Sequence, residues 1–152
     1  MRTGMKTYKF MFKGVCLLAL AGYIWYTLDT TVFCRSDYSY YQYKTYPFWS
    51  YAAILDGKES LIKENLLNVA LFVPIGFLLC SLLSRRRWWM ALIFGLGLST
   101  GIELMQLVWK RGTCEFDDVF HNTIGCLIGY GLCKMAVSLT HLARTTDRYE
   151  DN

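Results

Sequence analysis

Four apolar runs, separated by short polar stretches, organise the chain: about residues 14–33, 66–83, 88–109 and 119–139. Each approaches the roughly 20 residues that a helix needs to cross a bilayer. The longest connection, residues 34–65, is too short for an independent core. The pattern predicts an all-α polytopic membrane protein with four transmembrane helices, residues 1–152 forming a single membrane domain. Composition agrees, with 54% hydrophobic residues, above the globular norm, and 18% charged residues, below it.

The first run opens on a basic segment, Arg2, Lys6, Lys9 and Lys13, and contains Ala19-Leu20-Ala21, which resembles a secretory cleavage site. Apolar character continues past that site through Tyr23, Ile24, Trp25 and Tyr26, so a retained first helix is expected. Charge then suggests orientation. The N-terminal tail, the Arg85-Arg86-Arg87 turn and the tail carrying Arg144 and Arg148 share one side of a four-helix topology. The positive-inside tendency makes that side, and both termini, cytoplasmic, in a multi-pass protein of the cell membrane. The net charge of +4 flanks apolar segments and forms no separate basic domain, which argues against nucleic acid as a partner.

The connection expected outside is crowded with Tyr38, Tyr40, Tyr41, Tyr43, Tyr46, Phe48, Trp49 and Tyr51. These suit the membrane–water interface; a lid over an outward-facing pocket is the functional alternative. Pro47 is expected to hold the chain extended before a short interfacial helix over residues 48–55. The six cysteines show no metal-like spacing, and no metal site is expected from them. Cys34 and Cys114 fall near outer segment ends, where a disulfide is open to them.

Helical spacing resolves three polar stripes. Asn65, Asn68, Phe72 and Gly76 share one; Gly95, Ser99, Glu103, Gln106 and Lys110 a second; Asp118, Asn122, Gly125 and Gly129 a third. The small residues allow close helix approach, and a second copy of the chain docking through Gly125 and Gly129 is one candidate partner. Pro74 removes a backbone donor, frees the Ala70 carbonyl and predicts a kink. The polar ends should meet at one depth, with Asp117 beside Asp118, Arg111 above and Asp29 on the first helix. Glu103 is expected to pair with Arg111 or Lys110, or to share a proton with a neighbouring Asp. The plain reading is an interhelical network that fixes the bundle. Ionisable groups within a membrane otherwise point to function.

Three blocks carry a resemblance: Tyr46-Pro47-Phe48; the run from Asn65 to Leu79 with Asn65, Asn68, Phe72, Pro74 and Gly76; and Glu103, Gln106, Arg111, Asp117, Asp118, Asn122, Gly125 and Gly129. Together they resemble the VanZ-like family of bacterial membrane proteins. His121 stands where the pattern suggests an aliphatic residue, and Cys114 is outside it. The family's namesake is linked to low-level resistance to teicoplanin, a lipid-anchored glycopeptide that binds cell-wall precursors. The resemblance implies a role at the outer leaflet and names no cofactor.

Three functions follow as expectations. The first is a non-enzymatic module whose ligand-binding residues are Asn65, Asn68, Glu103, Gln106, Arg111, Asp117, Asp118 and Asn122. Its partners would be membrane lipids, a lipid-linked cell-wall precursor or a lipoglycopeptide, with Arg111 on phosphate. The second is a small intramembrane enzyme with Glu103, Asp117 and Asp118 as catalytic candidates, Glu103 as general base, and a divalent cation on the two aspartates assisted by His121 or Gln106. The third is transport linked to Glu103, or assembly through the glycine stripes.

Overall fold

A computed structural model describes the backbone of residues 2–44, 46–83 and 87–150, with side chains described within residues 7–140 of those ranges. Arg85 and Arg86, and the side chains of Arg2, Lys6, Arg144 and Arg148, on which much of the orientation reading rests, lie outside the described residues.

Helix α1 spans Arg2–Leu28 and runs into a π-helical turn, Asp29–Phe33. A two-residue strand β1 (Tyr43–Lys44) and the short helix α2 (Trp49–Leu55) precede α3 (Ser60–Leu82). Helix α4 (Trp88–Trp109), strand β2 (Cys114–Glu115) and α5 (Phe116–Glu150) complete the chain. Four helices are long and apolar enough to cross a membrane. The third begins and ends as its apolar run predicts. The others are longer, because amphipathic turns at their ends continue the helix where hydropathy alone falls off.

Contact is most extensive between α3 and α5, then between α4 and α5, then between α1 and α3, giving the spatial order α1–α3–α5–α4. The core between them holds Phe72, Ile75, Leu79, Cys80, Ile102, Cys126, Tyr130 and Cys133. Leu17, Leu18, Ile93, Leu104, Leu132 and Met135 face outward. A helix apolar on both its inner and outer faces suits hydrocarbon.

Glycines set the closest approach. A Cβ at Gly76 would overlap the Cys126 carbonyl oxygen, one at Gly125 the Val69 carbonyl oxygen, and one at Gly129 the Val73 carbonyl oxygen. The backbones of α3 and α5 therefore touch directly. The Gly125–Gly129 face expected to be open for a second copy is filled by α3 of the same chain. Helix α3 runs unbroken through Pro74.

The structure also revises the loops. None of the six cysteines forms a disulfide; Cys34 donates to Asp29 Oδ2 at 3.5 Å, and Cys114 lies in β2. Strands β1 and β2 pair in parallel, Tyr43 against Cys114, drawing the aromatic loop onto the α4–α5 turn. Chain about Pro47 is turned rather than extended: residues 46–48 bend sharply, and Phe48 takes the left-handed conformation at φ 61°.

Candidate functional site

The end of the bundle that carries this loop and the α4–α5 turn, the loop end, gathers the polar residues. They divide into three groups with different work.

The first group ties the loop down. Helix α2 begins with amides that no residue within it can satisfy, and Phe48 supplies no side-chain cap. Asp117 does so from α5. Its Oδ1 accepts the Phe48 amide at 2.6 Å, and its Oδ2 accepts the Ser50 amide at 2.9 Å and the Ser50 hydroxyl at 2.6 Å. A left-handed non-glycine residue costs about 1–2 kcal/mol, and this remote cap offsets it. The Phe48 ring meets Phe120 edge-on at 5.5 Å, and Tyr51 shares a hydrogen bond of 2.8 Å with His121 Nε2. His121, the expected aliphatic position, thus pins α2. Both Asp117 oxygens are engaged, so it stands apart from Asp118 in role.

Arg111 belongs to the same group. Its Nε donates to Asp37 Oδ1 at 2.6 Å, and one terminal nitrogen donates to the Phe33 carbonyl at 3.3 Å. Lys44 pairs with Glu115 at 3.2 Å and sits 3.3 Å from the centroid of the Trp49 ring. Burial of Glu115 raises its carboxyl above the ordinary range, and the Lys44 charge pulls the other way.

A second group lies buried behind the site. Glu103 accepts the Glu115 amide at 2.7 Å, and forms no ion pair with Arg111 or Lys110 among the described residues. Gln106 Nε2 donates 2.9 Å to the Thr31 carbonyl in the π-helical turn. Helix termini leave carbonyls without partners, and Gln106 and Arg111 supply two at the end of α1. Asn122 Nδ2 donates to Ser99 Oγ at 2.8 Å.

The third group lines a cavity of about 580 Å³, within the size range of small-molecule sites. Thr30, Thr31 and Arg35 come from the end of α1 and its extension. Glu64, Asn65 and Asn68 come from α3, beside Leu61, Leu67 and Leu71; Thr113 and Glu115 come from the α4–α5 turn, and Asp118 from α5. Of the expected ligand-binding residues, Asn65, Asn68 and Asp118 line this space. Glu103 and Gln106 bond lining residues from behind, Asn122 bonds Ser99 away from the lining, and Asp117 and Arg111 hold the adjoining loops. None of the loop tyrosines lines the cavity.

Sequence reasoning missed Arg35, Glu64, Glu115 and the three threonines. Arg35 had a signal, being the first cation after an apolar run. It reaches the cavity because Gly112, at φ 91°, has no side chain: a Cβ there would stand 3.0 Å from the Arg35 side chain. Glu103 and Asp118 lie within electrostatic range of one another and of Arg35. Burial, with the charges of Glu103, Asp118 and Glu115, raises the Cys114 thiol above its usual value.

No curated protein and no solved structure matches the chain. The VanZ/LLP1 family model matches residues 13–138, a stretch that contains every element around the cavity. With four helices able to span a bilayer, the chain is a multi-pass membrane protein and belongs to the VanZ/LLP1 family.

Proposed function

We propose that this protein is a binding module that holds the polar headgroup of a membrane lipid or lipid-linked cell-wall precursor, with the loop end facing outward. The observation that carries the reading is the cavity itself, which joins Arg35, carboxamides and hydroxyls to a flank of leucines on an apolar helix. Such a surface suits an amphiphile better than a wholly water-soluble solute. Arg35 takes the phosphate role expected of Arg111, because Arg111 is committed to Asp37 and to the Phe33 carbonyl. The basic tails and the Arg85–Arg87 turn support cytoplasmic termini. The family's namesake supports a connection to glycopeptide resistance, through occupation of a precursor headgroup or of the drug's lipid anchor.

Native mass spectrometry of protein released from its own membranes tests the reading. An adduct of phospholipid or precursor mass should be retained by the wild type and fall about tenfold in Arg35→Ala, the scale of one charge-assisted hydrogen bond. Equal adducts on both proteins would sink the assignment of Arg35. Orientation is tested with a variant retaining only Cys34: a membrane-impermeant maleimide should label it in intact cells. Labelling only after lysis would invert the topology.

A further inference from the structure

We infer that the cavity selects a primary ammonium group on its ligand. The inference rests on the headgroup reading and narrows it. It comes from the direction of the hydrogen bonds around the wall.

A threonine hydroxyl has one proton to donate and two lone pairs to accept with. Every threonine lining the cavity has spent its proton on the protein. Thr30 donates to the carbonyls of Tyr26 and Thr27 at 3.0 and 3.1 Å, and Thr31 to the Thr27 carbonyl at 2.7 Å. Thr113 donates to Gln42 Oε1 at 3.1 Å. Asn65 likewise gives an amide proton to Ser50 Oγ at 3.2 Å. What these groups retain for a ligand is largely acceptor capacity.

Behind the wall, Gln106 is 2% exposed. Its carboxamide lies between Thr31, whose carbonyl it caps, and the Arg35 side chain packed over Gly112. Its Oε1 is buried and has no partner among the described residues. An acceptor buried without a donor adds to the acceptor excess behind the cavity wall.

Charge points the same way. The cavity carries Glu64, Glu115 and Asp118 against Arg35. Glu115 is matched by Lys44, while neither Glu64 nor Asp118 has a cation within ion-pair distance among the described residues. No group of three His, Cys, Asp or Glu among those residues is arranged to hold a metal ion. An ammonium group brings three donors and no acceptor, which complements this wall. Arg35 remains as donor for a neighbouring phosphate, so a zwitterionic phosphate–ammonium headgroup fits both signs.

The test is retention in nanodiscs holding equal amounts of phosphatidylethanolamine, phosphatidylglycerol and phosphatidylcholine, read by native mass spectrometry. Phosphatidylethanolamine should be retained about tenfold over the others, the worth of one hydrogen bond to a charged group. The preference should collapse in Glu64→Gln and in Asp118→Asn. Glu64 is exposed, so its variant keeps the fold whatever the second does. Glycerophosphoethanolamine in detergent separates the sources: binding as tight as the lipid assigns a free amine, and weak binding assigns a lipid headgroup. Retention of phosphatidylcholine equal to phosphatidylethanolamine would overturn the inference, since a quaternary ammonium has no N–H to donate. Preferential retention of phosphatidylglycerol would overturn it while leaving headgroup binding intact. Retention of none of the three lipids would overturn the inference and remove these phospholipids from the headgroup reading, while adducts on protein released from its own membranes would still report on a precursor.

Discussion

Along the α3–α5 seam, Gly76, Gly125 and Gly129 leave no room for one added carbon. At the loop end of the same two helices, an open volume of about 580 Å³ is ringed by polar side chains. The seam gains its stability from atoms that are absent: without side chains the backbones meet, and dispersion accumulates over the contact. The loop end relies on side chains that reach far along the sequence, Asp117 to Phe48 and Ser50, Gln106 to Thr31, Arg111 to Asp37. The two are connected. The close seam sets α3 against α5, which brings Asn65 and Asn68 of α3 and Asp118 of α5 to one cavity.

The sharpest way to break the comparison is to fill the seam. Gly129→Leu should destabilise the protein by about 3 kcal/mol or more, the upper range for overpacking, seen as a lower melting temperature and loss of the monodisperse peak in detergent. Gly131→Leu is its control, because a Cβ at Gly131 meets nothing within 4 Å; it should behave as the wild type. Equal damage from both would show that the seam is not the tight contact.

Asp117→Ala tests the loop end. It strips three donors of their acceptor, and the loss should be about 2–4 kcal/mol, concentrated locally. Hydrogen exchange at Phe48 and Ser50 should accelerate, while amides of α3 and α5 near the seam keep their protection. Uniform acceleration along α5 would mean that Asp117 supports the bundle rather than the loop.

A smaller effect concerns pH. Burial raises the Glu115 carboxyl above its ordinary 4.5, despite Lys44. The folded state therefore binds this proton more tightly than the unfolded state. Its contribution to stability is complete below pH 4.5 and is lost as pH rises through the raised value. Melting curves from pH 4.5 upward should fall less steeply for Glu115→Gln than for the wild type; parallel curves would remove Glu115 from the pH response. Smallest of all, the Cys34 thiol is raised first by its hydrogen bond to Asp29 and then by that carboxylate's charge. Asp29→Asn should speed maleimide labelling of Cys34 near neutral pH, and an unchanged rate would show that the contact does not persist.

How much of this was legible varies with the range of the interaction. The run at residues 88–109 became α4 because twenty-two residues of near-continuous apolar character leave a helix little alternative in hydrocarbon. The glycine stripes were readable for a similar reason: removal of side chains at helical spacing has one common use. The polar residues were legible as a layer but not by role. Asp117 and Asp118 are neighbours in sequence, yet a step of about 100° around a helix sends one to cap α2 and the other to the cavity. Arg111 looked like the anion-binding cation, and Arg35 occupies the cavity instead.

Helix number, membrane character and the small-residue stripes were thus determined by the sequence alone, since each depends on local composition and period. Only tertiary structure decided which acid faces the cavity, which arginine meets it, and that Thr113 gives its proton to Gln42. Those outcomes depend on groups about 70 residues apart, as with Ser50 and Asp117. Helical periodicity places a residue on a stripe, but the packing of the neighbouring helices sets what that stripe faces.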